Sequence, residues 1–81
     1  MNKEAILEII AGHICEVIPR LKDHKFEETD SMRDLGANSI DRSEIIMMTL
    51  ESLSLNIPLI VIARAENIGE LASILQDKMA A

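Results

Sequence analysis

Asp34-Leu35-Gly36-Ala37-Asn38-Ser39-Ile40-Asp41 sets a turn directly before a strongly apolar helix, and each residue in it has a local reading. Glycine adopts positive φ at little steric cost, so Gly36 can close a preceding helical turn. Asn38 is suited to cap the next helix with its side-chain oxygen. Asp41 then lies in the first turn, where negative charge is favoured. Ser39 falls at the first helical position. Its hydroxyl is not consumed as the cap and points toward solvent, which makes it a candidate attachment point that another enzyme can reach.

Outward from this stretch the pattern is helical on both sides. From residue 3 to about residue 18, apolar side chains recur at Ile6, Ile10, Ile14, Val17 and Leu21, with Leu7 and Ile18 widening the stripe. Pro19 lacks the amide that would continue the ladder, so this helix is expected to end there. A charged loop over about residues 20–30 follows, with Phe26 as its anchor into the core, and residues 31–35 read as one short turn. The second major helix runs from 39 to about 53. Ile40, Ile45, Ile46, Met47, Met48, Leu50 and Leu53 cover more than one face of it, so some stay exposed beside Ser39, where they suit docking of a partner.

Ile57-Pro58 ends an extended connection. The run Leu59-Ile60-Val61-Ile62 fits a buried strand or a helical turn, and no second strand exists to pair with it. The expectation is an extended segment leading into a short third helix around residues 62–65. Asn67 with Glu70 resembles a capping box, opening a final helix with the stripe Ile68, Leu71, Ile74 and Leu75 and slightly weakened by Gly69. The predicted fold is all-α, a four-helix bundle with a short third helix and a long first loop, in a single domain over residues 1–81.

Composition narrows the functions. A chain of 81 residues buries only about 60% of the surface its unfolded form exposes, leaving no room for a deep substrate cavity. Eight Lys and Arg against fourteen Asp and Glu give a formal charge of −6, which disfavours nucleic-acid phosphates and anionic lipids. Phe26 is the sole aromatic residue, so there is no stacking platform for single-stranded nucleic acid. One cysteine forms no internal disulfide, the first residues lack a secretory apolar core, and the apolar stretch 58–63 is far short of the roughly 20 residues of a membrane span. A soluble, cytoplasmic monomer is expected.

The reactive residue types form no catalytic or metal pattern. Cys15 reads as a small buried hydrophobe, and His13 and His24 read as surface residues without ligand-spaced neighbours. A triad of Ser39, Asp41 and either histidine can be drawn, but nothing fixes the base or supplies an oxyanion hole. The glycines at 12, 36 and 69 make no phosphate loop, and Glu27, Glu28 and Asp30 lack calcium-loop spacing. The scaffold is expected to need neither metal nor disulfide. Met47 and Met48 fit either an adaptable docking surface or core filling. Arg42, set between Asp41 and Glu44, fits either charge selection of partners or local pairing.

Asn38-Ser39-Ile40 resembles the Asp-Ser-Leu modification site of acyl carrier proteins. The likeness continues through Asp34-Leu35-Gly36, Asp41, Glu44 and Ile57-Pro58. The resemblance implies a four-helix carrier bundle with 4′-phosphopantetheine attached to Ser39. Two features depart from ordinary fatty-acid carriers: Asn38 replaces the usual acidic residue, and Leu59-Ile60-Val61-Ile62-Ala63-Arg64 replaces an acidic stretch. The segments at 42–48, 53–58 and 67–71 are instead similar to free-standing donor carriers of polyketide β-branching cassettes. That likeness implies malonyl loading by an acyltransferase, decarboxylation by a ketosynthase-like enzyme, and acetyl donation to a hydroxymethylglutaryl-synthase-like enzyme. A phosphopantetheinyl transferase would install the arm, and the chain itself would catalyse nothing. Arg42, Met47, Leu59, Ile60 and Ile62 are the expected docking residues. A general acyl or aminoacyl carrier and a non-carrier helical adaptor remain as alternatives.

Overall fold

The computed structural model describes residues 1–80, and those residues form four α-helices and no strand. Helix α1, Lys3–Val17, begins where Asn2 Oδ1 accepts a hydrogen bond from Ala5 N–H at 2.8 Å. Ile6, Ile10 and Ile14, one turn apart, form its fully buried stripe. Burial of each contributes about 1.5–3 kcal/mol. Pro19 ends the helix as expected, and a 3-10 turn at Pro19–Leu21 carries the buried Leu21 back to the core.

The long connection after it is ordered by its own polar groups. Asp30 Oδ2 accepts from Glu27 N–H at 2.9 Å and lies 3.0 Å from His24 Nε2, and His24 packs edge-on to Phe26 with ring centroids 4.7 Å apart. The Glu27 amide, and then His24, hold the Asp30 carboxyl below the usual carboxylate range. His24 is therefore a half-buried brace of the loop rather than a free surface residue. Phe26 packs against the core from this loop.

The same loop closes the start of α4, Ile68–Ala80. Ile68 N–H donates to Asp30 O and Gly69 N–H to Glu28 O, each at 2.9 Å. A Cβ on Gly69 would stand 2.7 Å from Glu28 Cβ and 2.9 Å from Glu28 O. Glycine here is the condition for that close approach, beyond the small helix penalty expected from sequence. Asn67 Oδ1 accepts from Glu70 N–H at 2.8 Å, the forward half of the expected box, while the Glu70 carboxylate reaches Glu66 N–H at 3.4 Å.

Helix α2, Ser39–Ser52, and α4 both pack on α1. Ile45 and Thr49 face inward, and Thr49 Oγ1 donates to Ile45 O at 2.8 Å, which satisfies the one fully buried hydroxyl of that face. His13 joins α1 to the end of α2 through a 2.7 Å hydrogen bond between Nε2 and Ser52 Oγ. Its side chain is 15% exposed, so it too is an interhelical contact and not the surface residue expected.

Helix α3 is Leu59–Ile62, three residues earlier than expected. Pro58 stands at its N-cap with φ −58°, pre-set for the turn that follows, so the chain enters the helix immediately after the proline. The extended segment lies before Pro58, and residues 63–64 form the turn out of α3. This register turns Ile62 into the core, at 2% exposure.

Candidate functional site

The site is built from the turn before α2. Within residues 31–37, Leu35 N–H donates to Ser31 O, Gly36 N–H to Arg33 O and Ala37 N–H to Met32 O, at 2.9–3.1 Å. This is a helical turn terminated by a left-handed residue. Gly36 supplies it with φ +102°. Arg20, on the 3-10 turn, reaches across and donates from Nη2 to Leu35 O at 2.6 Å. The turn is thus pinned to the end of α1.

Asn38 and Asp41 then form a reciprocal capping box. Asn38 Oδ1 accepts from Asp41 N–H at 2.8 Å, and Asp41 Oδ2 accepts from Asn38 N–H at 3.3 Å. The cap is complete without Ser39, which sits exposed at the first helical position. Its hydroxyl is free for chemistry by another protein. His13 bonds Ser52, at the opposite end of this 14-residue helix, and His24 bonds Asp30, so neither histidine makes a triad with Ser39.

Ser39 lines an open groove of about 600 Å³ between the 31–36 turn, α2, α3 and the start of α4. Ile46, Leu59, Ile62 and Leu71 give it an apolar floor, and Arg33 and Arg42 bring two guanidinium groups to it. The small chain thus has an open trough rather than an enclosed cavity. Of the expected docking residues, Arg42, Leu59 and Ile62 meet in this groove. Ile62, expected to be a docking residue, instead belongs to the buried floor and is not exposed to a partner. Met47 and Ile60, 60% and 78% exposed, lie outside the groove on the open faces of α2 and α3. Ile40, also largely exposed, is two turns from Met47 on the same face of α2. Ser43 and Arg33 were not singled out from sequence. Ser43 follows from i+4 spacing after Ser39, whereas Arg33 carries no local signal.

A family model described as a phosphopantetheine attachment site matches residues 8–75. Over 79 residues, 98% of this chain and 96% of the relative, the sequence is 52% identical to the polyketide biosynthesis acyl-carrier-protein AcpK of Bacillus subtilis (strain 168). The chain belongs to the acyl carrier protein family. The carrier is also 27% identical over its full length to the whole acyl carrier protein of Guillardia theta. A chain in the crystal structure of the curacin biosynthetic pathway HMG synthase in complex with acetyl donor-ACP matches it with a TM-score of 0.92. That pair is 51% identical, covering 96% of this carrier and 100% of the other chain.

The family implies a covalent 4′-phosphopantetheine on a serine, and the residues present fit it. An exposed hydroxyl lines a groove that offers guanidinium groups for a phosphate and an apolar floor for a chain beyond it. Among the described residues no helix is long and apolar enough to cross a membrane, and no group of three or more metal-ligating side chains occurs.

Proposed function

We propose that this carrier bears its phosphopantetheine on Ser39 and serves as the acetyl donor to a hydroxymethylglutaryl-synthase-like enzyme in polyketide β-branching. The observation that carries the reading is the 51% identity, over the full length of the matched chain, to a structure of an HMG synthase with its acetyl donor-ACP. AcpK, at 52% identity, supports the polyketide setting. When bound, the arm supplies a terminal thiol that holds malonyl or acetyl as a thioester. Everything else required of this chain is presentation. Within a phosphopantetheinyl transferase, Ser39 Oγ attacks the pantetheine-bearing phosphorus of coenzyme A; the Ser39 O–P bond forms as the pyrophosphate bond breaks, adenosine 3′,5′-bisphosphate leaves, and the hydroxyl proton passes to a base of the transferase. The capping box and the Arg20-pinned turn keep that hydroxyl at one fixed place.

Loading by an acyltransferase, decarboxylation by a ketosynthase-like enzyme and acetyl use by the synthase are each assigned to partners, so the carrier is not itself an enzyme. Docking is assigned to Arg42, Met47, Leu59 and Ile60. Three of these are exposed beside the groove, and an exposed apolar patch suits a transient interface. A single domain over 1–81, acting as a cytoplasmic monomer without nucleic-acid or membrane binding, completes the reading.

The decisive experiment is intact mass after incubation with coenzyme A and a phosphopantetheinyl transferase. Wild type gains one arm and Ser39→Ala gains none while keeping its helical circular dichroism, because the cap is Asn38. An arm on the variant, located by peptide mass spectrometry, would falsify the attachment site. For docking, Arg42→Glu loaded equally at Ser39 should lower acetyl transfer to the synthase by roughly tenfold or more, since a like-charge clash adds to a lost contact. Unchanged transfer removes Arg42 from the interface.

A further inference from the structure

We infer that Arg42, assisted by Arg33, holds the phosphodiester of the carrier's own arm and so lays that arm along the groove. The inference rests on attachment at Ser39. Arg42 is three residues after Ser39, which places the two side chains as neighbours on one face of α2. Both line the groove, and Arg33 enters it from the turn on the other side. Among the described residues neither guanidinium takes part in an ion pair, although the chain carries six more negative than positive charges.

Local electrostatics give these arginines a task. Asp41, fixed in the capping box, holds a carboxylate two residues from Ser39, and Glu66 faces the groove from the stretch before α4. An anion esterified to Ser39 adds negative charge to a region that already carries both. Arg42 and Arg33 are the cations of the groove that offset them, and a guanidinium matches phosphate oxygens by paired N–H donors. Ser31, on the turn with Arg33, and Ser43, on α2 next to Arg42, add hydroxyl donors to the groove. With its phosphate held there, the arm's next segment, which carries geminal methyl groups, runs over Ile46 and Leu59 rather than into solvent.

The test is nuclear magnetic resonance on isotope-labelled carrier before and after loading from coenzyme A. Intact mass and peptide mapping first establish an arm on Ser39. Loading should then shift the Arg42 Nε–Hε resonance well beyond that of Arg64, which lies outside the groove. The geminal methyls should show nuclear Overhauser contacts to the methyls of Ile46 or Leu59. Those contacts should be lost in Arg42→Gln, and weakened in Arg33→Gln and in wild type at about 1 M salt, where the Debye length falls to about 3 Å. An arm with the narrow lines of free coenzyme A and no contacts in wild type overturns the clamp while leaving the attachment intact. Contacts that survive both substitutions and salt also overturn it. A loaded carrier lacking any arm on Ser39 overturns the attachment itself. Binding of the unloaded carrier to a partner separates the docking contribution of Arg42, because the clamp acts only when the arm is present.

Discussion

At the entry to α2, Ala37 N–H donates to Met32 O and Gly36 N–H to Arg33 O, whereas at the exit Leu55 N–H donates to Leu50 O and Ser54 N–H to Glu51 O. The hydrogen-bond pattern is the same, a six-to-one bond enclosing a shorter one around a left-handed residue. The residues differ. Gly36 takes φ +102° at the entry, and Ser54 takes φ 54° at the exit, the one non-glycine residue at positive φ among those described. Both ends are tied to the α1 side of the molecule, but differently: Arg20 bonds the Leu35 carbonyl within the entry turn itself, whereas His13 bonds the hydroxyl of Ser52, the last helical residue before the exit turn. The end that presents Ser39 is thus the one made with a residue suited to its backbone and pinned within the turn itself. The remote end tolerates strain.

Breaking the entry turn should have the largest effect. Gly36→Ala puts a Cβ onto the Arg20 guanidinium at a φ outside the left-handed well that L-residues tolerate. Strain of about 1–2 kcal/mol and loss of a charged hydrogen bond worth about 1 kcal/mol should together destabilise the fold by roughly 2–3 kcal/mol in urea unfolding. Loading of Ser39 should slow as well, with KM for the carrier raised. An unchanged midpoint would mean that the turn relaxes freely and presents Ser39 without being fixed.

Removing only the pin separates it from the turn. Arg20→Ala keeps Gly36 and its backbone bonds but loses the donor to Leu35 O, and Arg20 is exposed, so the expected loss of stability is about 0.5–1 kcal/mol. The loading rate should fall by a larger factor than this stability change implies, and Arg20→Lys should restore it in part. Loading at the wild-type rate in Arg20→Ala would place the whole positioning effect in Gly36.

The entry was legible in sequence because its chemistry is local. Gly36, the Asn38–Asp41 box and the free Ser39 hydroxyl all act within a few residues, and each is found where its residue type places it. Ile6, Ile10 and Ile14 were likewise readable from spacing. The exit was not, since serine carries no signal for positive φ and the closing bonds depend on how Leu55 returns to the core. The start of helix α3 is not legible in sequence because an apolar run of four residues has no period, so an extended segment continuing past Pro58 fits it as well as the helix that Pro58 begins. Gly69 shows the same limit from another side: its reason is Glu28, forty-one residues away in sequence. The groove beside Ser39 joins four separate segments, so Arg33 could enter the site only through the fold.

The smallest expected effect is a gain at the exit. Ser54→Gly relieves a left-handed residue of its Cβ, worth about 1–2 kcal/mol, against about 0.4–1 kcal/mol of added chain entropy in the unfolded state. The difference is a stabilisation of about 0.5–1 kcal/mol, which for a domain of this size raises the thermal midpoint by about 2–8 °C. Ser54 is exposed, and its backbone N–H already donates to Glu51 O whatever the side chain, so no packing or hydrogen bond of the turn is lost. Because the exit lies at the far end of α2 from Ser39, loading and acetyl transfer should not change. A rise in stability with unaltered loading would establish that the two turns, alike in hydrogen bonding, divide presentation from simple chain reversal. A fall in stability would show that Ser54 contributes more through its hydroxyl than its backbone conformation costs, and the contrast between the two ends would then rest on Arg20 bonding the turn itself where His13 bonds only the last helical residue.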